Sequence, residues 1–466
     1  MRRAIAGPIA MALVVVSCQG GGPPTTAPST IAAVASTPPS TAPEATTTTV
    51  ADDPVATDGT RVTADTIHLG ILADLSGPRS ADEVDTVDAQ VAFWARLNEA
   101  GGIADRQVEL AVIDVGAAAG GIQAAYGLLA GRVAMFSHVA ASPLETTLAA
   151  DLADDGLLAV AGSGYSGWSD PQLGAGILEV GSNNCLEAMN AVSFIAAAHQ
   201  EELGVLPTVA IATDQGPYGQ DSAAGARYAA DQLGLSIVFD AEGQILTGGE
   251  LEPIAAGIAS GAADYTWLAT DAESASTIVS AAVAQGYDGA WSGAAPTFGL
   301  RLLDGALGEY LATSWTISLL HAPIGADVAG MANIYETLAE VFPGRLPTDA
   351  LVTGYLEYAV ASRILEQAAE DQDLTPQGLT VAAGRVGEVG FGGISPPNRY
   401  SGVLDDSVAR ATSLYQPSKE LFDAQGGLAA TFAGGAVAPY TPLQELFVSD
   451  VAAGYDFQQP CHLEGG

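Results

Sequence analysis

IHLGILADLSGPRSADEVDTVDAQVAFWARLNEAGGIADRQVELAVID, residues 67–114, decides how this chain folds. Ile67, Leu69 and Ile71 alternate with smaller residues, and Leu72 and Ala73 extend the apolar run, as expected of a buried strand. The chain then turns at Leu75-Ser76-Gly77-Pro78. Ser80-Ala81-Asp82-Glu83 has capping-box spacing, so Ser80 is the expected N-cap and Glu83 its reciprocal partner. Val84, Val87, Val91, Trp94 and Ala95 recur at helical spacing and form one apolar stripe, and Gly101-Gly102 stops the helix. Val108–Ile113 is the next strand. The result is a βαβ unit whose first loop lies at the carboxyl end of a parallel strand, the place where open α/β sheets bind ligands.

The same alternation continues outward. Helices are expected at 122–130 and up to Asp155, and strands at Val133–Phe136 and Leu157–Ala161. Ser142-Pro143-Leu144-Glu145 repeats the capping box with Pro at N1. The loop Gly162-Ser163-Gly164-Tyr165-Ser166-Gly167 follows the last of these strands. A dinucleotide site would need a helix after that glycine pattern, and Trp168-Ser169-Asp170-Pro171 argues against one. A second series follows: strands at Thr208–Thr213, Ser236–Phe239, Tyr265–Ala269 and Gly289–Trp291. Helices are expected at 186–199, about 222–233, 254–258 and 274–285. Ser314–Leu320 is read as returning the chain to the first lobe, followed by helices at about 331–341 and 349–369. Short strands near Gly402–Leu404 and Ala411–Tyr415 cross back. The fold class is therefore α/β, two doubly wound parallel-sheet lobes joined by a hinge. The boundaries are 62–182 plus about 320–395 for lobe one and 183–319 plus about 396–416 for lobe two. Residues 417–466 form a C-terminal extension without a confident pattern.

The ends read differently. Arg2 and Arg3 precede a short apolar run, Ile9–Val16, too short to span a bilayer. Val15-Val16-Ser17-Cys18 resembles a lipobox, which reads 1–17 as a lipoprotein signal peptide and Cys18 as the lipidated residue; the plainer alternative is an ordinary cleaved signal with an incidental Cys. Residues 18–61 are rich in Thr, Pro and Ala and cannot bury enough apolar surface to fold; they read as a disordered tether. The anchor expected is lipid alone, on the outer face of the cell membrane.

Charge narrows the functions. Fifty-four acids face fifteen Lys and Arg residues, for a formal net charge of −39. That excludes the basic footprint that nucleic acid requires and electrostatic docking on anionic lipid. No G-x-S-x-G elbow and no H-E-x-x-H occurs, and the five His residues are scattered, so neither an enzyme nor a metal or other cofactor is expected. His138 follows a strand and either lines a cleft or is a hydrogen-bonded structural residue. Of three cysteines, Cys18 is assigned to lipid, leaving Cys185 and Cys461 as an even pair in an oxidising compartment, read as one disulfide, with two independent buried thiols as the alternative.

What remains is a set of polar residues at strand ends: Ser76, Ser142, Ser163, Tyr165, Tyr218 and Asp271. A helix start with a Ser hydroxyl suits a carboxylate, Asp271 suits an ammonium, and the two tyrosines suit an apolar or planar ligand part. Each also has a plain reading as a turn or cap residue.

LGILADLSGP, the helix ending LNEAGGI, and DRQVELAVID resemble the opening of the extracytoplasmic solute-binding proteins of the branched-chain amino acid type, with the periplasmic binding protein type I fold. The resemblance runs over most of Val62–Tyr415. It implies a two-lobed receptor that captures a small polar ligand, an amino acid or amide, and delivers it to the permease and ATPase of an ABC importer. It places Ser142 at or beside the ligand carboxylate, Ser163 and Tyr165 among the backbone and side-chain contacts, and Tyr218, in AIATDQGPYGQ, as the ligand-facing tyrosine. Asp271 falls where a second lobe-two residue points into the cleft. Two departures stand out. The first loop continues as Arg79-Ser80-Ala81-Asp82, where the family has a Gly segment. The segment after the later short strand, Trp291-Ser292-Gly293-Ala294-Ala295, lacks the acid that amino-acid binders use for the ammonium. Either Asp271 takes that role or the ligand is not an α-amino acid. A sensory or scaffold lipoprotein using the same fold without transport is the alternative.

Overall fold

The computed structural model describes residues 55–463, except 78, 117–119, 141–144, 170–175, 247, 401–408 and 458, and the side chains of 145–147 and 169. The expectations for the signal peptide, Cys18, Ser142 and Gly402–Leu404 lie outside the described residues, as does nearly all of the tether.

Two sheets organise the chain. In the first, β1 (Thr66–Ala73), β2 (Gln107–Asp114), β3 (Met135–Val139), β4 (Ala159–Ala161) and β5 (Ile177–Leu178) run in the order β2-β1-β3-β4-β5. All four of these pairings are parallel. The second contains β6 (Thr208–Asp214), β7 (Ser236–Ile245), β8 (Tyr265–Ala269), β9 (Ala290–Gly293), β10 (Trp315–Leu319), β13 (Thr412–Pro417) and β14 (Tyr440–Phe447). Its order is β14-β13-β10-β9-β8-β6-β7. The run β7-β6-β8-β9-β10 is parallel and repeats the order of the first sheet, while β13 and β14 add antiparallel at its edge. The remaining pair, β11 (Gly387–Val389) and β12 (Asn398–Tyr400), is a small hairpin.

Period-two alternation covers both faces of each sheet. In lobe one, Ile67 and Leu69 pack against α1 (Ser80–Glu99) and later helices. Leu72, Phe136 and Ala159 face the opposite side, with α2 (Gly121–Leu129) and α3 (Glu145–Asp155). In lobe two, Val209, Ile211 and Trp267 face α4 (Asn184–Leu203) and α5 (Pro217–Leu233). Ala212, Leu268 and Trp291 face α6 (Glu252–Gly261) and α7 (Ala272–Ala284). These are the two helical layers of a doubly wound lobe.

Three expectations need correction. Ser80 is not the N-cap of α1. That position belongs to Arg79, no side chain caps it, and Glu83 is turned inward to His138. Residues 314–320 do not return the chain to lobe one. β10 lies in the second sheet, paired with β9 and β13, and the crossing comes after it. Helices α10 (Met331–Val341), α11 (Asp349–Glu370) and α12 (Pro376–Ala383) then pack into the lobe-one core, after two short helices α8 (Arg301–Asp304) and α9 (Gly308–Ser314) in lobe two. Finally, α5 begins at Pro217 rather than near residue 222. Pro at the first helical position needs no N–H partner, and Gly216 at φ +81° makes the turn into it.

The hinge is built from polar backbone contacts. The Gly181 amide donates to Asn398 Oδ1 at 2.7 Å, and Asn398 Nδ2 donates back to the Gly181 carbonyl at 3.3 Å. The Ala322 amide donates to the Ile394 carbonyl, and the Asn184 amide to that of Gly164. Crossing segments are thus tied to one another as well as to the lobes.

Candidate functional site

In each sheet the winding direction reverses beside the strand that comes first in the chain, between β1 and β3 and between β6 and β8. Loops at the carboxyl ends of those strands flank a crevice. Lobe one supplies the segment after β1 (Asp74–Arg79) and the loop after β4 (Gly162–Trp168). Lobe two supplies Asp214–Tyr218, Thr270–Asp271 and the turn after β9 (Ala294–Thr297).

The two sets of loops face each other. The Ser166 amide, in the short 3₁₀ turn Ser166–Ser169, donates to Asp221 Oδ2 on α5 at 2.6 Å. Asp221 is three residues along α5 from Tyr218, so both lie on one helix face. Burial raises both the Asp214 carboxyl and the Tyr218 hydroxyl in lobe two, and the charge of Arg79, from the loop after β1, is near enough to oppose that rise in each. Loops from both lobes therefore meet across one gap.

The expected site residues are placed as follows. Ser163 accepts the Trp168 indole N–H at 2.9 Å, and Tyr165 packs edge-on against Trp168, with ring centroids 5.1 Å apart. Both belong to the loop that meets α5. Tyr218 stands in the first turn of α5, its hydroxyl 3.5 Å from Thr297 Oγ1. Ser76 is exposed on the loop after β1. Asp271 is the N-cap of α7: Oδ1 accepts from the amides of Glu273 and Ser274, both at 2.9 Å, and Oδ2 accepts from the Ser274 hydroxyl at 2.7 Å. Each of its oxygens is thereby committed to the helix terminus. Cys185 and Cys461 are joined by a disulfide, with Cα atoms 6.4 Å apart.

His138 belongs to the interior of lobe one. Its Nε2 meets Glu83 of α1 and its Nδ1 meets Glu357 of α11, each at 2.9 Å, and Gln90 donates to Glu357 at 2.7 Å. Burial alone would lower the imidazole pKa, but the two carboxylates lift it well above its ordinary value. His138 is a charged structural tie, the second of the two readings given above.

Two acids stand where sequence reasoning had not looked. Asp214 ends β6. Burial raises its carboxyl to about 6, Thr270 and Arg79 pull it down, and Asp271 pushes it up. Glu187, in the first turn of α4, is fully buried and its carboxyl is pushed up to about 8 by that burial. Its Oε1 accepts the Ala295 amide at 2.9 Å, at the turn after β9 that lacks an acid of its own. Glu187 Oε2, Asp214 Oδ1 and the Thr270 hydroxyl are buried without a hydrogen bond of ordinary geometry among the described residues. A buried polar atom left unpaired costs about 1–3 kcal/mol. Three such atoms around one set of strand ends make this a polar floor with both donors, from Thr270 and the protonated Glu187, and acceptors, from Asp214. Asp214 was legible as the residue closing an apolar strand. Glu187 was not, because its partner at Ala295 arrives 108 residues later in the chain. Among the described residues no cluster of His, Cys, Asp and Glu could hold a metal, and no helix is long and apolar enough to cross a membrane.

Comparison with known proteins places this architecture. A family model described as periplasmic binding protein matches residues 66–399, and the chain belongs to that family, one of extracytoplasmic substrate-binding proteins. No curated protein sequence matches it. Among solved structures it is similar to a fatty acid ABC transporter substrate-binding protein from Thermomonospora curvata, with TM-score 0.76 and 21% identity over 88% of this chain and 99% of that one. It is also similar to a branched-chain amino acid ABC transporter protein from Thermus thermophilus with bound valine, with TM-score 0.68 and 17% identity over 83% and 98%. An ABC transporter substrate-binding protein from Aeropyrum pernix gives TM-score 0.67 and 17% identity over 86% and 98%. At these identities the likeness is one of fold.

Proposed function

We propose that the protein is a lipid-anchored receptor that closes its two lobes over a small polar ligand, an amino acid or amide-like compound, and delivers it to an ABC importer. The carrying observation is the approach of lobe-one loops to lobe-two strand ends, through Ser166 on Asp221 and the charge of Arg79 on Asp214 and Tyr218. Cys18 holds the lipid and residues 18–61 are the tether. Domain limits at 182/183, 319/320 and about 395/396 fit the hinge ties at Gly181, Ala322 and Asn398.

Ser76, Ser142, Ser163 and Tyr165 would line the ligand from lobe one and Tyr218 from lobe two. Arg79 supplies a cation on the lobe-one side. The fatty acid and the valine named for two of the similar structures both carry a carboxylate, and a carboxylate suits that cation. Asp214, with an unpaired oxygen, suits an ammonium or amide N–H₂ better than Asp271, whose oxygens cap α7.

The test is a thermal-shift screen against amino acids, amides, polyamines, aromatic acids and fatty acids. Ligand at 100 times its Kd stabilises the native state by about 2.7 kcal/mol. A stabilising compound should lose its effect in Arg79→Ala and Tyr218→Ala. A compound that still stabilises both variants binds elsewhere and overturns the cleft assignment.

A further inference from the structure

The residues after β13 do more than finish the second sheet. The excursion between β13 and β14 leaves lobe two and reaches lobe one. There Phe432 enters the lobe-one core, the Phe432 amide donates to the Arg345 carbonyl at 3.0 Å, and the Ala433 amide donates to that of Pro343 at 2.8 Å. Tyr335 of α10 donates its hydroxyl to the carbonyls of Phe432 and Ala436. The chain returns as β14. It then packs Ala452, Tyr455 and Phe457 into the lobe-two core beside α4 and α5, where the disulfide fixes Cys461 to Cys185.

Its tip turns back to lobe one. The Cys461 amide donates to Ser166 Oγ at 2.8 Å, and the His462 ring lies 5.8 Å from that of Tyr165. His462 Nδ1 meets Asp221 Oδ1 at 3.1 Å, while the other oxygen of Asp221 takes the Ser166 amide. Asp221 is fully buried under this arrangement. One carboxylate thus joins a lobe-one loop, a lobe-two helix and the C-terminal tip.

We propose that residues 418–463 are an interlobe strap that restrains opening of the cleft, with the Cys185–Cys461 bridge as its fixed end on lobe two. A tail serving lobe two alone would need neither Phe432 in the other lobe's core nor Cys461 and His462 at the loop that carries Ser163 and Tyr165. Opening by rotation about the hinge must break the Ser166–Asp221 and Cys461–Ser166 bonds together, because both meet at Ser166. The strap adds its hold to whatever the ligand contributes. It needs no ligand to be observed.

The experiment uses the full chain without added ligand. Amide exchange across 162–169 and the radius of gyration from small-angle scattering are compared for the wild type, Ser166→Ala, His462→Ala and Cys185→Ser/Cys461→Ser. The first two variants keep the bridge, so they report on the strap even where loss of the bridge unfolds the tail. Expected is roughly tenfold faster exchange at Ser166–Trp168 in each variant, with exchange across β6 and β8 unchanged and a larger radius of gyration. Unchanged exchange at 162–169 in both Ser166→Ala and His462→Ala overturns the proposal. So does faster exchange spread evenly through lobe two, which would make the tail a stabiliser of that lobe only.

Discussion

Replacing His138 with Leu removes the cation between Glu83 and Glu357, both at 2.9 Å from the ring and almost wholly buried. Two carboxylates then share an apolar interior that joins α1, β3 and α11. Removing one partner of a buried pair costs about 3–5 kcal/mol. For a lobe of roughly 200 residues the unfolding entropy is about 0.4 kcal/mol/K, so lobe one should melt about 7–12 °C lower. Scanning calorimetry reads this directly, and Glu83→Gln/His138→Leu/Glu357→Gln should recover most of the loss because no buried charge remains. The pH dependence has a definite sign. The His138 pKa is raised above 6.5, so its contribution is full below about 6.5 and fades as pH rises through the folded value. Glu83, despite burial, is held below 4.5 by His138, and its contribution fades as pH falls through that lowered value. Burial raises Glu357 above 4.5, so its ionisation works against the fold as pH increases. The gap between wild type and His138→Leu should therefore be wide at pH 6 and narrow at alkaline pH. A melting loss under about 2 °C at pH 6 would refute the picture of a charged tie.

Other outcomes follow from the same geometry. Glu187→Gln keeps the acceptor for the Ala295 amide but removes a carboxyl raised from 4.5 to about 8; it should stabilise lobe two more at pH 8 than at pH 5, by up to on the order of 3–5 kcal/mol in calorimetry. Asp271→Ala should cost about 1 kcal/mol of stability in calorimetry as a lost N-cap. Gly354→Val should fail to accumulate as folded protein on gel filtration, because a Cβ at that point of α11 would sit 2.2 Å from the Thr86 carbonyl of α1. Asn398→Ala should speed amide exchange at Gly181, whose hydrogen bond to Asn398 Oδ1 is lost, by about tenfold.

Much of the fold was legible because buried parallel strands announce themselves. Ile67–Ala73 and Thr208–Thr213 are apolar on both faces, and each is followed by a helical stripe, which leaves few arrangements besides a doubly wound sheet. Helix 331–341 was readable for the same reason. Starts and crossings were less so. Ser80 has the composition of a cap, but burial of Glu83 against His138 outweighs a surface hydrogen bond that water can replace. β10 looked like a return strand because local pattern does not say which sheet receives it. The site divided along the same line. Ser163, Tyr165 and Tyr218 follow strands at predictable offsets, whereas Glu187, Arg79 and Asp221 act through partners far away in sequence. The tail was opaque because its contacts, Phe432 in one core and Cys461 in the other, belong to no repeating pattern.

On the proposed reading the asymmetry of the crevice bears on what it accepts. Lobe one contributes hydroxyls and the Arg79 cation; lobe two contributes Asp214, Tyr218 and Glu187, whose carboxyl burial keeps protonated near neutral pH. Arg79 and Asp214 already attract each other across the gap, so a ligand entering between them must replace that attraction at both ends. A dipolar molecule does so, with its carboxylate toward Arg79 and its N–H donors toward Asp214. A fatty acid satisfies Arg79 but leaves Asp214 unpaired beside an apolar chain, which Asp214 tolerates only by taking up a proton. Since burial already raises that carboxyl to about 6, fatty-acid binding should strengthen as pH falls from 7 to 5 while zwitterion binding should weaken. The sign of the pH dependence therefore separates the two ligand classes without knowledge of the ligand's chain length.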